Sequence, residues 1–176
     1  MVKKILCTVA LSVMMLGTLV GCGKDEKKEK ADPTTEATTT EAQAVEIEKT
    51  AKEVADALFA GGEFKDALAP IDMSVGVNRL YMLDEAQIED AAFYTNSSAT
   101  AEEIAVVKVK DQAYVETVKA AYETRIADQK VAFESYVPEE IPKLEDAVVY
   151  ENGNVVILCV SCDSSKINTV IGDIFK

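Results

Sequence analysis

Two cysteines near the C-terminal end of the chain have a spacing that permits thiol chemistry. Cys159 and Cys162 form a Cys-x-x-Cys pair, and a cysteine next to a helix N-terminus can have a lowered pKa. Cys159, however, lies within an apolar run, which is typical of a cysteine that packs in the core. Residues three apart in an extended strand have Cα atoms roughly 10 Å apart, farther than a disulfide can span. We therefore expect Cys159 to be buried and Cys162 to lie at the strand exit, with a disulfide only if the strand ends at Val160.

Carboxylates are frequent between residues 134 and 151 and form a second candidate site. The members of this acidic set are Glu134, Glu139, Glu140, Glu145, Asp146 and Glu151. Oxygen-rich clusters can bind calcium, and paired carboxylates can carry out acid–base catalysis. The acidic set has no regular ligand spacing, so we predict a solvated face that holds neither a metal ion nor a cofactor.

A polar loop is the third candidate. Residues 95–100 contain Asn96, Ser97 and Ser98 and are long for a hairpin connection. Loops of this composition often carry binding residues. They also serve as plain connections between strands, so the sequence leaves both interpretations open.

The composition excludes several classes of site. The chain has no histidine, so it cannot contain a Ser-His or Cys-His nucleophile or a histidine-bearing zinc motif. It has no Ser-x-x-Lys segment, and its glycines form neither a phosphate loop nor a dinucleotide fingerprint. The formal net charge of −13 leaves no basic footprint for nucleic acid.

The N-terminal segment has the features of an export signal. Lys3 and Lys4 precede a mostly apolar run over residues 5–20, and small residues follow, as in a secretory signal peptide. The apolar run is shorter than the roughly 20 residues that a membrane-spanning helix needs. This length favours a signal peptide over a helix that stays in the membrane.

The end of this segment predicts a lipid anchor. Leu19-Val20-Gly21-Cys22 resembles the lipobox of bacterial lipoproteins, in which the cysteine is diacylglycerylated and becomes the first residue. A signal peptide cut elsewhere leaves Cys22 unexplained. We therefore predict that residues 1–21 are a lipoprotein signal peptide and that Cys22 holds the chain on the outer face of the cell membrane.

The segment after the anchor is predicted to be a disordered tether that extends to residue 44. Residues 24–30 are of mixed charge and residues 33–41 are rich in threonine, and such segments cannot offset their ordering entropy. A flexible coil of about 22 residues separates its ends by roughly 25 Å. Removal of Lys3 and Lys4 with the signal peptide changes the formal charge from −13 to −15, which keeps an anchored domain away from anionic headgroups.

The folded domain is predicted to occupy residues 45–176 and to begin with a helix. Apolar residues recur at helical spacing from Ile47 to Leu58, and Gly61-Gly62 supplies a stop. Met73, Val77, Leu80 and Tyr81 then predict a short helix. Asp84 is expected to cap a single helical turn after it.

Two similar ββα units are predicted to follow. In each unit an aspartate after the second strand can cap a helix, Asp111 in the first and Asp163 in the second. The strands are expected over residues 89–94, 104–109, 145–150 and 155–160. The sequence therefore predicts an α+β domain with one four-stranded antiparallel sheet and with the helices of both units on the same face.

The two predicted hairpins differ in clarity. Asn152-Gly153 lies between two apolar runs and predicts a type I′ turn with positive φ at both positions. In the first hairpin, residues 100–103 also fit a capping box, which would make residues 101–109 helical. The β-branched residues in that segment favour a strand.

Three segments of the predicted domain resemble a known family. They are Glu-Glu-Ile-Ala-Val-Val-Lys-Val-Lys-Asp at residues 102–111, the segment 125–136, and the segment 142–149. They are similar to the domain of unknown function 4358, and the resemblance covers the whole predicted domain. It implies a small exported lipoprotein of a Gram-positive bacterium. It implies no catalytic or binding residue, because none is established for that family.

Two functional hypotheses from different classes follow. The first is a non-enzymatic, lipid-anchored module that binds an envelope protein or a small ligand, and no nucleic acid. The second is a surface enzyme or thiol-active protein that uses the acidic set or the cysteine pair Cys159 and Cys162. A concave pocket with convergent acids favours the second hypothesis, and scattered acids favour the first.

Overall fold

The computed structural model describes residues 48–97 and 100–176. The predicted signal peptide, the predicted lipidation site Cys22 and the predicted linker lie outside the described residues, as does Ser98 of the polar loop. The described chain is an α+β domain built on an antiparallel sheet, which confirms the predicted class. Within these residues, no helix combines the length and the apolar character needed to cross a membrane.

The order of elements follows the sequence prediction with two additions, one strand and one short helix before the predicted strand at residues 145–150. The helices are α1 (Ala51–Gly61), α2 (Met73–Val75), α3 (Val115–Tyr136), α4 (Ile141–Glu145) and α5 (Ser164–Ile174). The strands are β1 (Ala69–Ile71), β2 (Ile88–Thr95), β3 (Glu103–Val109), β4 (Val148–Asn152) and β5 (Val155–Val160). Helix α2 continues into a π-helical segment, Gly76–Leu80, and the two together replace the predicted short helix.

The sheet has five strands in the order β1-β2-β3-β5-β4, and every neighbouring pair is antiparallel. The predicted count of four strands is therefore wrong. The additional strand β1 pairs with the end of β2, where Ala69 faces Thr95 and Ile71 faces Phe93. Three residues with Pro70 at the centre give no alternating pattern, so this edge strand left no recognisable signal in the sequence.

Helices cover both faces of the sheet. On one face, Leu58 of α1 and Ile167 of α5 share a core with Ile104 of β3. On the other face, Val118 of α3 shares a second core with Leu158 of β5. All six residues of β5 are buried, because alternate side chains of a strand point into opposite faces and each face here is covered.

The predicted placement of both helices on one face is wrong. Helices α3 and α5 follow equivalent strands but contribute to different cores. One residue separates the end of β3 from the capping Asp111, whereas two separate the end of β5 from Asp163. Successive residues of an extended chain point to opposite faces. The additional residue after β5 is therefore consistent with α5 packing on the face of the sheet opposite to α3. The two ββα units are therefore not equivalent copies.

The turn between β4 and β5 differs from the prediction by one residue. Asn152 pairs with Val155, so the two loop residues are Gly153 and Asn154. Gly153 has a φ of 59°, and of these two residues it alone has a positive φ. A positive φ at the first central position alone is the pattern of a type II′ turn, which requires glycine there. In the first hairpin, β3 confirms the strand interpretation over the helical one.

The predicted helix caps are confirmed. The carboxylates of Asp84, Asp111 and Asp163 each accept a hydrogen bond from a backbone N–H two residues later, at 2.9 to 3.0 Å. Asp111 caps a 3-10 turn that leads into α3. Helix α3 ends at Tyr136, before Pro138, as proline geometry demands.

Candidate functional site

Three carboxylates are buried where β3 begins. Glu102, Glu103 and Glu140 are each 2% exposed. A buried charge is costly unless a partner neutralises it, so each group requires specific donors. The sequence prediction of a solvated acidic face is wrong for Glu140, whose residue type gave no indication of its burial.

Glu102 accepts hydrogen bonds from four groups. They are the backbone N–H of Lys65 at 2.8 Å and of Asp66 at 3.0 Å, Lys143 Nζ at 2.8 Å and Cys162 Sγ at 3.0 Å. Burial acts to raise the pKa of Glu102, but these hydrogen bonds outweigh burial and hold the pKa below its ordinary value of 4.5. The carboxylate is therefore ionised at neutral pH.

Lys143 joins two of the buried carboxylates. Its Nζ lies 2.8 Å from Glu102 Oε1 and 2.9 Å from Glu140 Oε2. Glu140 also accepts a hydrogen bond from the N–H of Ala101 at 3.0 Å. Burial acts to lower the pKa of Lys143, and the two carboxylates outweigh it and raise that pKa. This ion triplet ties α4 to the start of β3 and has a structural role.

The two cysteines are free thiols in different surroundings. Cys159 is buried in the core formed with α1 and α5, and burial raises its pKa well above the ordinary value of 9.0. Cys162 is exposed past the end of β5, and desolvation followed by its hydrogen bond to Glu102 raises its pKa. A nucleophilic cysteine needs a lowered pKa, so both environments oppose thiolate formation.

Glu103 is the carboxylate of a second polar cluster, on the other face of the sheet. Arg125 of α3 donates to Glu103 Oε2 from Nη2 at 2.7 Å and from Nε at 3.2 Å. The hydroxyl of Tyr81 donates a short hydrogen bond to the same carboxylate. Burial acts to lower the pKa of Arg125, but Glu103 outweighs it and the pKa is raised. Burial and then the charge of Glu103 raise the pKa of Tyr81 well above 10.0, so the tyrosine is neutral.

The π-helical segment before Tyr81 packs closely on the sheet. The ring centroid of Tyr81 lies 5.4 Å from that of Phe93 and 5.0 Å from that of Tyr122. A Cβ at Gly76 would lie 2.5 Å from Cγ of Phe93 and closer still to the ring edge, so only glycine fits there. Isolated π-helical turns occur frequently at functional sites.

The chain leaves the π-helical segment through a strained residue. Met82 has a φ of 51°, and the N–H of Leu83 bonds to the carbonyl of Val77 at 2.9 Å, a pattern in which glycine is the usual residue. A left-handed conformation costs a non-glycine residue about 1–2 kcal/mol. The side chain of Met82 is nevertheless 85% exposed, and strain of this kind clusters at functional sites.

A cleft of about 410 Å³ lies between this strained segment and α3. Its lining comes from two chain segments, Arg79, Leu80, Tyr81 and Met82 on one side, and Ala121, Thr124, Arg125 and Asp128 on the other. Arg79 and Arg125 are the two arginines of the entire chain. They lie far apart in the sequence, so only the tertiary fold brings them to one site.

The guanidinium groups differ in their partners. Arg125 uses Nε and Nη2 for Glu103, and its Nη1 has no hydrogen-bond partner among the described residues. Arg79 is exposed, and its guanidinium forms neither a hydrogen bond nor an ion pair with any residue that the structure describes. Asp128 is the acid among the lining residues and is exposed. The cleft therefore presents donors that the protein itself does not satisfy.

The polar loop predicted as a candidate site does not line this cleft. Asn96 Nδ2 donates to Thr100 Oγ1 at 2.5 Å and to the carbonyl of Glu102 at 3.1 Å. These bonds fasten the connection between β2 and β3. Ser97 is exposed.

The remaining members of the acidic set do not converge. Glu134, Glu139, Glu145 and Asp146 are exposed, and Glu151 pairs with Lys119 at 2.6 Å. Over residues 48–97 and 100–176, no group of three or more acidic or cysteine side chains could hold a metal ion.

The fold and the cleft define a small α+β domain whose buried charges are paired and whose surface cleft carries both arginines. The model of the family described as domain of unknown function (DUF4358) matches residues 63–161, more than half of the 176 residues. The chain belongs to this family, as the sequence resemblance predicted. The match includes both arginines and the three buried carboxylates but neither α1 nor α5. No curated protein and no solved structure matches the chain.

Proposed function

We propose that this protein is an exported lipoprotein whose globular domain is a non-enzymatic binding module. A lipid on Cys22 holds it on the outer face of the cell membrane, and the segment up to residue 44 serves as a flexible tether. The partner or ligand is an envelope protein or a small molecule. The basic head, the apolar run and the Leu-Val-Gly-Cys segment support the anchor.

The cleft between residues 79–82 and α3 is the observation that carries the binding role. Small-molecule sites are concave, have volumes of roughly 300–1,000 Å³, and combine apolar walls with a few polar groups. The cleft of about 410 Å³ lies within this range of volumes, and its lining combines the apolar Leu80, Met82 and Ala121 with Arg79, Arg125, Thr124 and Asp128. The buried acids, by contrast, are occupied in holding the fold together.

Tethering strengthens such a module without any chemistry. A flexible linker raises the effective concentration of a weak binder near other membrane-bound components, up to the millimolar range for short linkers. The acidic surface keeps the domain in solution beside the bilayer. A weak affinity in the cleft is therefore sufficient for function at the membrane.

The alternative of a surface enzyme or thiol-active protein receives less support. Both thiols have raised pKa values, and the exposed acids are dispersed, so neither feature supplies a group poised for catalysis. The enzyme hypothesis can be tested directly. If the purified domain turns over an envelope-derived substrate, and replacement of Glu139, Glu145 and Asp146 by alanine abolishes turnover while the domain remains folded, the binding role is overturned.

Two experiments test the proposal itself. Mass spectrometry of the mature N-terminus should find a lipidated Cys22 as the first residue, and Cys22→Ala should release the protein from the membrane fraction. Affinity capture with the mature protein from the envelope of its own organism should recover a partner. Recovery should diminish when cleft residue Arg79 is replaced by glutamine, and it should persist in the matched charge variant Lys49→Gln. A mature chain that starts elsewhere, or that carries an unmodified Cys22, contradicts the anchor.

A further inference from the structure

We propose that the cleft binds a small organic anion through a phosphate or carboxylate group held by Arg79 and Arg125. The inference rests on the proposed binding role and names the site and the chemical class of its ligand. It depends on three observations: the arginine N–H donors that have no partner, the pairing of the lysines with carboxylates, and the volume and lining residues of the cleft.

The free donors fit an oxyanion. A guanidinium presents five N–H donors in a planar fork that matches carboxylate and phosphate geometry. Arg125 is already oriented, because Glu103 holds its Nε and Nη2 and leaves Nη1 available. Arg79 contributes a whole guanidinium that has no partner among the described residues. Glu103 pairs with Arg125, and Asp128 lines the same cleft. Arg79 therefore supplies the unpaired positive charge, and Arg125 supplies an additional oriented donor.

Most of the lysines in the described residues are paired with carboxylates. Acidic residues outnumber basic ones by 31 to 18. Six of the ten lysines in residues 48–97 and 100–176 are paired with carboxylates, namely Lys52, Lys108, Lys119, Lys143, Lys166 and Lys176, and the other four form no ion pair with a described residue. A second, smaller cleft of about 150 Å³ against β1 and β2 illustrates the contrast. Its cation, Lys52, is paired with Asp56 at 2.6 Å. The larger cleft differs, because the guanidinium of Arg79 has no carboxylate partner among the described residues.

The walls indicate that the ligand is larger than a bare ion. Leu80, Met82 and Ala121 contribute apolar surface beside the arginines, and about 410 Å³ exceeds the volume of a phosphate several-fold. The backbone strain at Met82 places a flexible, polarisable side chain at the rim, and methionine is well suited to contact varied apolar groups. The ligand should therefore combine one anionic group with a compact apolar or aromatic portion.

Replacement of Asp128 tests whether the ligand of the cleft is negatively charged. Its carboxylate lines the same cleft and repels an anion. Its removal should tighten the binding of an anionic ligand by roughly two- to fivefold, the size expected for a single charge near a solvent-exposed site. A ligand attracted by Asp128 would show the opposite change.

The test uses the full chain as the cell produces it, in micelles of an uncharged detergent, with ligand-observed saturation-transfer NMR. The probes are benzoate and phenyl phosphate, which supply the two anionic groups on the same ring, and benzamide as the neutral equivalent of benzoate. We expect saturable binding of at least one anion and none of benzamide, and the stronger anion identifies the preferred group. Arg79→Gln should weaken binding by roughly tenfold or more, and Asp128→Asn should strengthen it.

Arg79 is exposed, so its replacement should leave the fold intact, which the thermal midpoint will verify. Lys49→Gln removes the same charge from a site before α1 and should not alter binding. Equal binding of benzamide, or unchanged binding in Arg79→Gln, overturns the inference. If this happens in a protein that still carries its lipid and captures its partner, the anion site alone is wrong and the binding module stands.

Discussion

Arg125 binds Glu103 through two of its nitrogen atoms, with Nη2 at 2.7 Å and Nε at 3.2 Å from the same carboxylate oxygen. The carboxylate is fully enclosed, whereas a quarter of the arginine side chain remains exposed. One residue therefore connects the core to the surface cleft. Its guanidinium pairs with the buried Glu103, and the same residue lines the candidate binding site.

The first prediction concerns this ion pair. Glu103→Gln retains the shape of the side chain but leaves Arg125 without its counter-ion. Loss of one partner of a buried pair costs about 3–5 kcal/mol, and the partial exposure of Arg125 places the expected loss near the lower figure, about 3 kcal/mol. Urea unfolding at pH 7 measures it. The control Glu116→Gln breaks an exposed contact with Lys119 and should leave the unfolding midpoint unchanged; equal effects of both variants would contradict a buried pair.

The second prediction concerns acid stability. The folded-state pKa of Glu102 lies below 4.5, since hydrogen bonds from Cys162, Lys143 and the backbone outweigh the effect of burial. The unfolded chain therefore binds a proton at higher pH than the folded one does. The contribution of this carboxylate to the free energy of unfolding is complete above about pH 5 and is lost as the pH falls through the folded-state pKa.

Urea unfolding of Glu102→Gln between pH 7 and pH 3.5 tests this account. The variant lacks the titrating group, so the difference in unfolding free energy between wild type and variant should shrink as the solution becomes acidic. Glu145→Gln removes an exposed carboxylate and controls for the general charge effect. A difference that stays constant over the whole range would show that Glu102 does not titrate as its hydrogen bonds require.

The third prediction concerns the close approach of Gly76 to Phe93. Gly76→Ala would force the aromatic ring or the π-helical segment to shift, and overpacking of this kind costs about 1–3 kcal/mol. The matched control is Gly172→Ala in α5, where a Cβ meets no atom within 4 Å and alanine should stabilise the helix by about 0.5–1 kcal/mol. Thermal unfolding distinguishes the two. A neutral Gly76→Ala would mean that the segment does not pack on Phe93 as described.

The fourth prediction concerns the strain at Met82. Met82→Gly removes the penalty of a left-handed conformation and should raise the free energy of unfolding by about 1 kcal/mol. Met82→Ala also shortens the side chain but keeps the penalty, so it should give no such gain. If both variants behave alike, the strain is not present in solution. If the glycine variant also binds the anionic probes more weakly, the strained side chain contributes to the cleft.

Local rules predicted much of the fold because they act through neighbours in the sequence. Asp84, Asp111 and Asp163 precede their helical turns as caps should, and the end of α3 follows from Pro138. The same rules could not place α3 and α5 on opposite faces, although the apolar run of β5 carried the signal. A strand without a polar residue on either face is one that must be covered on both faces.

The candidate site was less accessible from sequence because it depends on long-range contacts. Glu102 and Glu103 look like the polar edge of a strand, and only their partners Lys143 and Arg125 explain why they can be buried. Arg79 and Arg125 belong to different elements, and no spacing rule relates them. The composition contained one indication, because the chain has only two arginines among its 18 basic residues and both of them line the same cleft.

The last prediction concerns the reactivity of Cys162. A lipid on Cys22 and the removal of residues 1–21 would leave Cys159 and Cys162 as the thiols of the mature protein. Thiol titration should detect one group in the folded state, the exposed Cys162, and a second only after unfolding releases Cys159. Because desolvation and the negative charge of Glu102 stabilise the protonated thiol, alkylation of Cys162 by iodoacetamide should reach half its limiting rate above pH 9.0. Glu102→Gln should move that midpoint downward, whereas Glu145→Gln should not. A midpoint below 9.0 in the wild type, or a disulfide between the two cysteines, would restore the thiol-active alternative.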